Sequence, residues 1–263
     1  MKLKFKINKY YLVGYAIASS NKPFNTWKKL EEKIWEKYRE KPAYYFLNPK
    51  YINLALEKIQ LDISDKNIRS VLSKHSADLK KIHQEIFKSK EFQKLFKETK
   101  NHLDFVKNQW GKNENQALKI LKEISGLSLP AQEITIYITH PNSCNGKTID
   151  KNTIVWGHTE DWENYATVYL SHELLHIMTW PSHFQKNYNI SHALICLATN
   201  NELRIRLNKK GKYFKTRKIY TEYPEMIKLE KTILPYWKKY LGGKLGKNIL
   251  ELKKFLDKKR GAF

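Results

Sequence analysis

Two imidazoles and a carboxylate stand close together in Ser171-His172-Glu173-Leu174-Leu175-His176-Ile177-Met178, at a spacing that suits metal-assisted hydrolysis. The pattern from Asp161 to about Thr179 is helical, and Pro181 limits its extension. On a helix, positions four apart lie nearly above one another, so His172 and His176 can each give one ring nitrogen to a single ion. Glu173 then lies beside the pair. Its carboxylate can take the proton of a metal-bound water, whose pKa zinc lowers towards neutrality, and peptide-bond hydrolysis needs that chemistry. The flanking Leu170, Leu174, Leu175, Ile177 and Met178 are apolar, as expected of a buried helix whose histidines project into a cleft. The competing reading makes both histidines ordinary hydrogen-bonded side chains and Glu173 a surface residue. So apolar a helix offers little packing reason for three polar groups in this register.

A catalytic zinc site takes a third protein ligand and keeps one position open for water. The next helical pattern, roughly Ser191 to Leu207, carries Glu202 among Leu194, Ile195, Leu197, Ala198, Leu203 and Ile205. A carboxylate on so apolar a helix is costly to bury without a cation. The alternative role for Glu202 is an ion pair with Arg206 one turn on, worth only ~0.3–0.5 kcal/mol when exposed. His183, His192, Glu222 and Glu225 are further candidates for the same position.

With these residues the chain resembles the zincin metallopeptidases, and among them the gluzincins, whose third ligand is a Glu on the helix after His-Glu-x-x-His. The resemblance covers about Ile134 to Leu207. It implies a zinc metallopeptidase holding one Zn2+ on His172, His176 and Glu202, with Glu173 as general base and a peptide or protein as substrate. Tyr169 departs from the usual pattern, which has Val or Thr there. The metzincin pattern fits less well: Thr179 replaces the glycine that permits its turn, and Ser182 takes the place of the third histidine, with His183 one residue late. The resemblance also implies an edge strand upstream of the helix. Ile154-Val155-Trp156-Gly157 stands in that place and can bind an extended peptide through main-chain hydrogen bonds, although Trp156 also suits a core. For stabilising an oxyanion, His192, Tyr220 and Tyr223 are candidates.

The elements that must position these groups are legible in outline. Residues 25 to about 126 read as helices with apolar stripes, beginning with Trp27, Leu30, Ile34, Trp35 and Tyr38 and ended by Pro42. Ile68, Leu72, Leu79, Ile82 and Ile86, then Phe92, Leu95, Phe96, Leu103, Val106 and Trp110, continue the theme. Asn113 can cap a further helix, which Gly126 closes. After Pro130, Ile134, Ile136 and Ile138 alternate with polar residues as a strand does; a polar loop through Asn145-Gly146 follows, and Thr153 to Gly157 reads as a second short strand. Helices are expected around Glu225 to Tyr240 and Ile249 to Leu256. The expected class is α+β, mainly α, with a helical N-terminal lobe over residues 1–129. A zincin-like catalytic region follows over residues 130–263, with a short sheet, the active-site helix and C-terminal helices.

Bulk properties frame the partners. With 263 residues, 41% apolar and 13% aromatic, the chain can bury a core. Its formal charge of +23, from 49 basic against 26 acidic residues, admits nucleic acid as a partner. The excess is nearly all Lys, alongside abundant Asn, Ile and Tyr, which also fits a base-composition bias, so nucleic acid is not favoured over a peptide substrate. Cys144 and Cys196 are too few for a disulfide framework and read as reduced thiols. Lys2, Lys4, Lys6 and Lys9 ahead of residues 11–18 resemble a secretory leader, yet Leu3, Phe5 and Ile7 alternate as a half-buried strand, which favours a cytoplasmic location over secretion. No run approaches the ~20 apolar residues of a membrane span. Two rival functions remain: a basic nucleic-acid-associated protein with an incidental or structural His-Glu-x-x-His, and a zinc hydrolase or pseudoenzyme that is not a peptidase.

Overall fold

The alternation of Leu3 and Phe5 with lysines becomes β1 (Lys2–Lys6), whose side chains are in turn exposed and half-buried. After it come α1 (Lys9–Ala18), α2 (Asn25–Tyr38), α3 (Lys66–Lys88), α4 (Lys90–Ser125), β2 (Glu133–Ile138), a 3-10 turn (Pro141–Ser143), β3 (Asn145–Asp150) and β4 (Thr153–Gly157). Next are α5 (Tyr165–Thr179), then α6 (Tyr188–Cys196) continuing through a π-helical turn (Leu197–Leu203) into α7 (Arg204–Asn208), and finally α8 (Pro224–Leu241) and α9 (Ile249–Lys258). The chain is α+β, mainly α. The computed structural model describes residues 1–18, 25–41, 66–180, 188–214 and 224–259. Among them no helix is long and apolar enough to cross a membrane.

The sheet has the order β1-β2-β4-β3. Leu3 lies opposite Ile134 and Phe5 opposite Ile136 in a parallel pair, and β4 runs parallel along the other side of β2. β3 lies antiparallel to β4. This corrects the expectation for Ile154 to Gly157: β4 is an interior strand, buried at every position, and the edge is β3. The stretch read as a polar loop hid β3 because an edge strand needs one ladder only and can turn its other side to water, so Asn145, Lys147 and Thr148 carry no apolar alternation.

Two apolar cores stand along α4. One gathers Ile134, Ile136, Ile138, Ile154 and Trp156 of the sheet with Val106, Trp110 and Ile124 of α4, Leu170 and Leu174 of α5, Leu194 of α6 and Trp237 of α8. The other gathers Leu12, Leu30, Ile34, Leu79, Ile82 and Ile86 around Phe92 and Leu95 of α4. The division expected at residues 129 and 130 therefore does not follow the cores: β1 and the C-terminal half of α4 pack with the sheet. Nor does α4 break at Asn113. It runs 36 residues from its cap Ser89, whose hydroxyl accepts from the Phe92 amide, to Gly126 at φ 65. Asn113 turns its side-chain amide to the Gln109 carbonyl (3.0 Å) and to Asn164 Oδ1 (2.8 Å), holding the loop ahead of α5.

The start of α5 is tied to α4 in a second way. Its capping position, Asn164, is left-handed at φ 60 and makes no side-chain cap bond. The first amides turn elsewhere: Tyr165 and Ala166 donate to the Glu160 carboxylate at 3.1 and 3.0 Å, and Thr167 donates to Gln109 Oε1 at 3.0 Å. These bonds satisfy donors that a helix leaves without intrahelical partners and fix where α5 begins.

Candidate metal centre

α5 carries His172, Glu173 and His176 into the first core. His172 and Glu173 are buried and His176 is half-buried. Helical register sets the two imidazoles one above the other, and their Nε2 atoms face each other at 3.2 Å. Two ligands of one tetrahedral zinc, each bound at 2.0–2.1 Å, lie about 3.3 Å apart, so the pair fits a shared ion.

The far side of His172 is held by the π-helical turn. Thr199 Oγ1 lies 3.3 Å from His172 Nδ1 and is 2.8 Å from the Ile195 carbonyl. A carbonyl only accepts, so the Thr199 hydroxyl proton goes to Ile195, and its oxygen accepts the N–H of His172 Nδ1. That tautomer leaves the His172 Nε2 lone pair facing His176, as a metal ligand requires. The π-turn, which inserts a residue into the helical ladder, brings Thr199 and Asn200 to this ring. Tyr169 stacks on the ring of His172 at 5.8 Å, and Trp156 stacks on Tyr169 at 5.2 Å, so Trp156 is core.

Glu173 points to the edge strand. Thr148 of β3 donates towards its Oε2 at 2.8 Å and stands 3.0 Å from its backbone carbonyl. Burial raises the proton affinity of this carboxyl to about 7, against the opposing pull of the Thr148 hydrogen bonds and the charge of Lys147. β3 can pass here only with glycine at 146, because a Cβ there would sit 2.9 Å from the Trp156 ring and 3.8 Å from Glu173 Oε1.

Burial holds His172 well below the ordinary imidazole range, helped by the neighbouring His176 and His192, and brings His176 to about 4. Burial also lowers His192. All three rings are thus neutral at pH 7, the form that binds a metal. His192, on α6, lies against both: ring centroids stand 5.2 Å from His172 and 5.7 Å from His176. Tyr188, exposed, stacks on its outer face at 5.4 Å.

The remaining candidates separate. Glu202 has partners of its own: Arg206 Nε donates to it at 2.6 Å, and the Tyr213 hydroxyl, itself 3.2 Å from Trp237 Nε1, donates to its other oxygen. Among the described residues, the group with ligand atoms all within 4.8 Å of one another is His172, His192 and Cys196, and neither His176 nor Glu202 is in it. Glu225 is exposed at the start of α8. His183, Glu222, Tyr220 and Tyr223 lie outside the described residues. Sequence reasoning missed Thr148 and Thr199, whose types signal nothing until β3 and the π-turn place them, and it read Cys196 only as a reduced thiol.

No family model, curated protein or solved structure matches this chain.

Proposed function

We propose that the chain is a zinc-dependent metallopeptidase with a zincin-like, gluzincin-related site, in which His172 and His176 hold the ion and Glu173 is the general base. The observation that carries this reading is the pair of Nε2 atoms at 3.2 Å, with the tautomer of His172 set by Thr199 and the Glu173 carboxylate one residue away. An incidental His-Glu-x-x-His has no need of that arrangement. His172 and His176 would hold the zinc, which would supply Lewis acidity to a water and to the scissile carbonyl.

The protein groups divide the remaining work. Glu173, fixed by Thr148, takes the proton from the attacking water and returns it to the leaving amine. The outer edge of β3, unpaired among the described strands, accepts an extended peptide through main-chain hydrogen bonds, and Thr148 brings that edge directly to Glu173. This makes the substrate class a peptide or an unfolded segment of a protein rather than a compact small molecule. The positive charge of the chain favours acidic peptides in the encounter.

The test uses Glu173→Gln, which removes the base and no ligand. It should keep about one zinc per chain while casein or peptide-library cleavage falls by about two or more orders of magnitude. Cleavage at the wild-type rate removes Glu173 from this role, and a wild-type protein that takes up no zinc removes the reading altogether.

A further inference from the structure

We infer that Cys196, with His192, completes the cation site, so that the ion sits in a nitrogen and sulfur set drawn from α5 and α6 and not on the carboxylate of Glu202. This rests on the reading of His172 and His176 as a metal-binding pair.

Three observations converge. One ring nitrogen of His172, one of His192 and the sulfur of Cys196 lie within 4.8 Å of one another, a group that meets the histidine pair at His172 and does not include His176. The Cys196 Sγ stands 3.8 Å from His192 Nδ1, close to the about 3.6 Å that separates a sulfur and a nitrogen bound to one tetrahedral zinc at about 2.3 and 2.05 Å. Glu202, meanwhile, is bonded to Arg206 and Tyr213 and is not in that group.

The positions on α6 follow from its register. His192 and Cys196 are one turn apart, as His172 and His176 are on α5, so each helix offers two donors one above the other. Asn200, one further turn on, bonds to His172 and is also a partner of Cys196. One residue thereby links the sulfur to an imidazole of the other helix. Cys196 is buried, whereas His192 is half-buried and covered by the exposed ring of Tyr188. His172, His192 and Cys196 are three protein ligands and leave one position open for water.

Binding balances as follows. The Cys196 thiol and a divalent cation give a thiolate–metal bond, and the thiol proton is released to solvent. The imidazoles, already neutral, release none.

Cobalt(II) titration of the full chain reads this out without activity. Wild type should bind about one cobalt with a sulfur-to-cobalt charge-transfer band in the near ultraviolet and release about one proton per ion. Cys196→Ser, checked for unchanged folding in the metal-free form by circular dichroism, should bind cobalt more weakly, with the band gone and the proton release lost. Cys196→Ala provides the same reading if the serine hydroxyl perturbs the site. His192→Ala should keep the sulfur band while its visible bands change, as water replaces nitrogen.

Binding of one cobalt without a sulfur band overturns the inference and leaves the histidine pair standing. A band that survives in Cys196→Ser also overturns it. Loss of cobalt in Glu202→Gln returns the third position to that carboxylate. Wild type that binds no cobalt or zinc fails the metallopeptidase reading itself, a result distinct from all the others.

Discussion

Thr199 accepts the Nδ1–H of His172 at 3.3 Å while giving its own hydroxyl proton to Ile195 one turn back at 2.8 Å. A single oxygen so decides which nitrogen of the buried imidazole is free to bind a cation. Thr199→Val keeps the shape of the side chain and removes the acceptor. Zinc affinity, measured by competition with a chromophoric chelator, should fall roughly 10–100-fold, the usual effect of losing an outer partner of a metal-binding histidine. Thr199→Ser should recover most of it. Equal affinity in all three proteins would detach Thr199 from the site.

Glu202 and Arg206 provide a contrast that ligand chemistry and ion pairing predict differently. Glu202→Ala leaves the Tyr213 hydroxyl without its acceptor and should cost about 1–2 kcal/mol of stability. Arg206→Ala, at a half-exposed guanidinium, should cost about 0.5 kcal/mol. Both variants should retain zinc at the wild-type stoichiometry. Loss of the metal in Glu202→Ala alone would make that carboxylate a ligand after all.

At Gly146, a larger side chain meets the Trp156 ring at 2.9 Å and must push β3 away from α5. Gly146→Val should cost about 1–3 kcal/mol, as over-packing does. Because Thr148 moves with the strand, peptide turnover should fall more steeply than zinc content. Turnover at the wild-type level would show that β3 does not steady Glu173.

His83 supplies a pH prediction outside the candidate metal centre. It is buried beside the second core, its Nδ1 donates to the Leu79 carbonyl at 2.9 Å, and among the described residues its Nε2 has no partner. Burial lowers it from 6.5 to about 4, against the opposing Leu79 bond. The unfolded chain therefore binds a proton first. Stability from this group is complete above about pH 6.5, falls as pH drops towards about 4, and changes no further below that. The loss amounts to about 3 kcal/mol at most. His83→Leu should flatten the slope of unfolding free energy against pH in that window, measured by urea denaturation. An unchanged slope would assign acid sensitivity to other groups.

The strands with apolar alternation and the helix of His172 could be read from residue types because their signals are local. Ile134, Ile136 and Ile138 repeat with period two, and the leucines around His172 leave only one face for polar groups. β3 had no such signal, since its pairing with β4 depends on a neighbour and its outer edge tolerates any polar residue. The continuity of α4 past Asn113 was hidden for a similar reason. Asparagine favours a cap only where its side chain lacks a better partner, and here Asn164, far along the chain, provides one. The hydrogen bonds of Glu202 were not legible either. Its apolar helix pointed to a metal, while its bond to Tyr213 depends on a contact eleven residues away that no periodicity announces.

The parallel pairing of β1 with β2 sets an order of assembly. Lys2 lies opposite Glu133, so at a synthesis rate of about 5–20 residues per second the first strand waits roughly ten seconds for its partner to emerge. During that interval Leu3 and Phe5 are available to any other exposed strand. Lys2, Lys4 and Lys6 alternate with them and make a premature partner costly, since lysines along an unpaired edge repel further strands until Glu133 arrives to meet Lys2 and Lys4. The charge that flanks this strand thus acts in time as well as in space, guarding the nascent chain before α5 has been made.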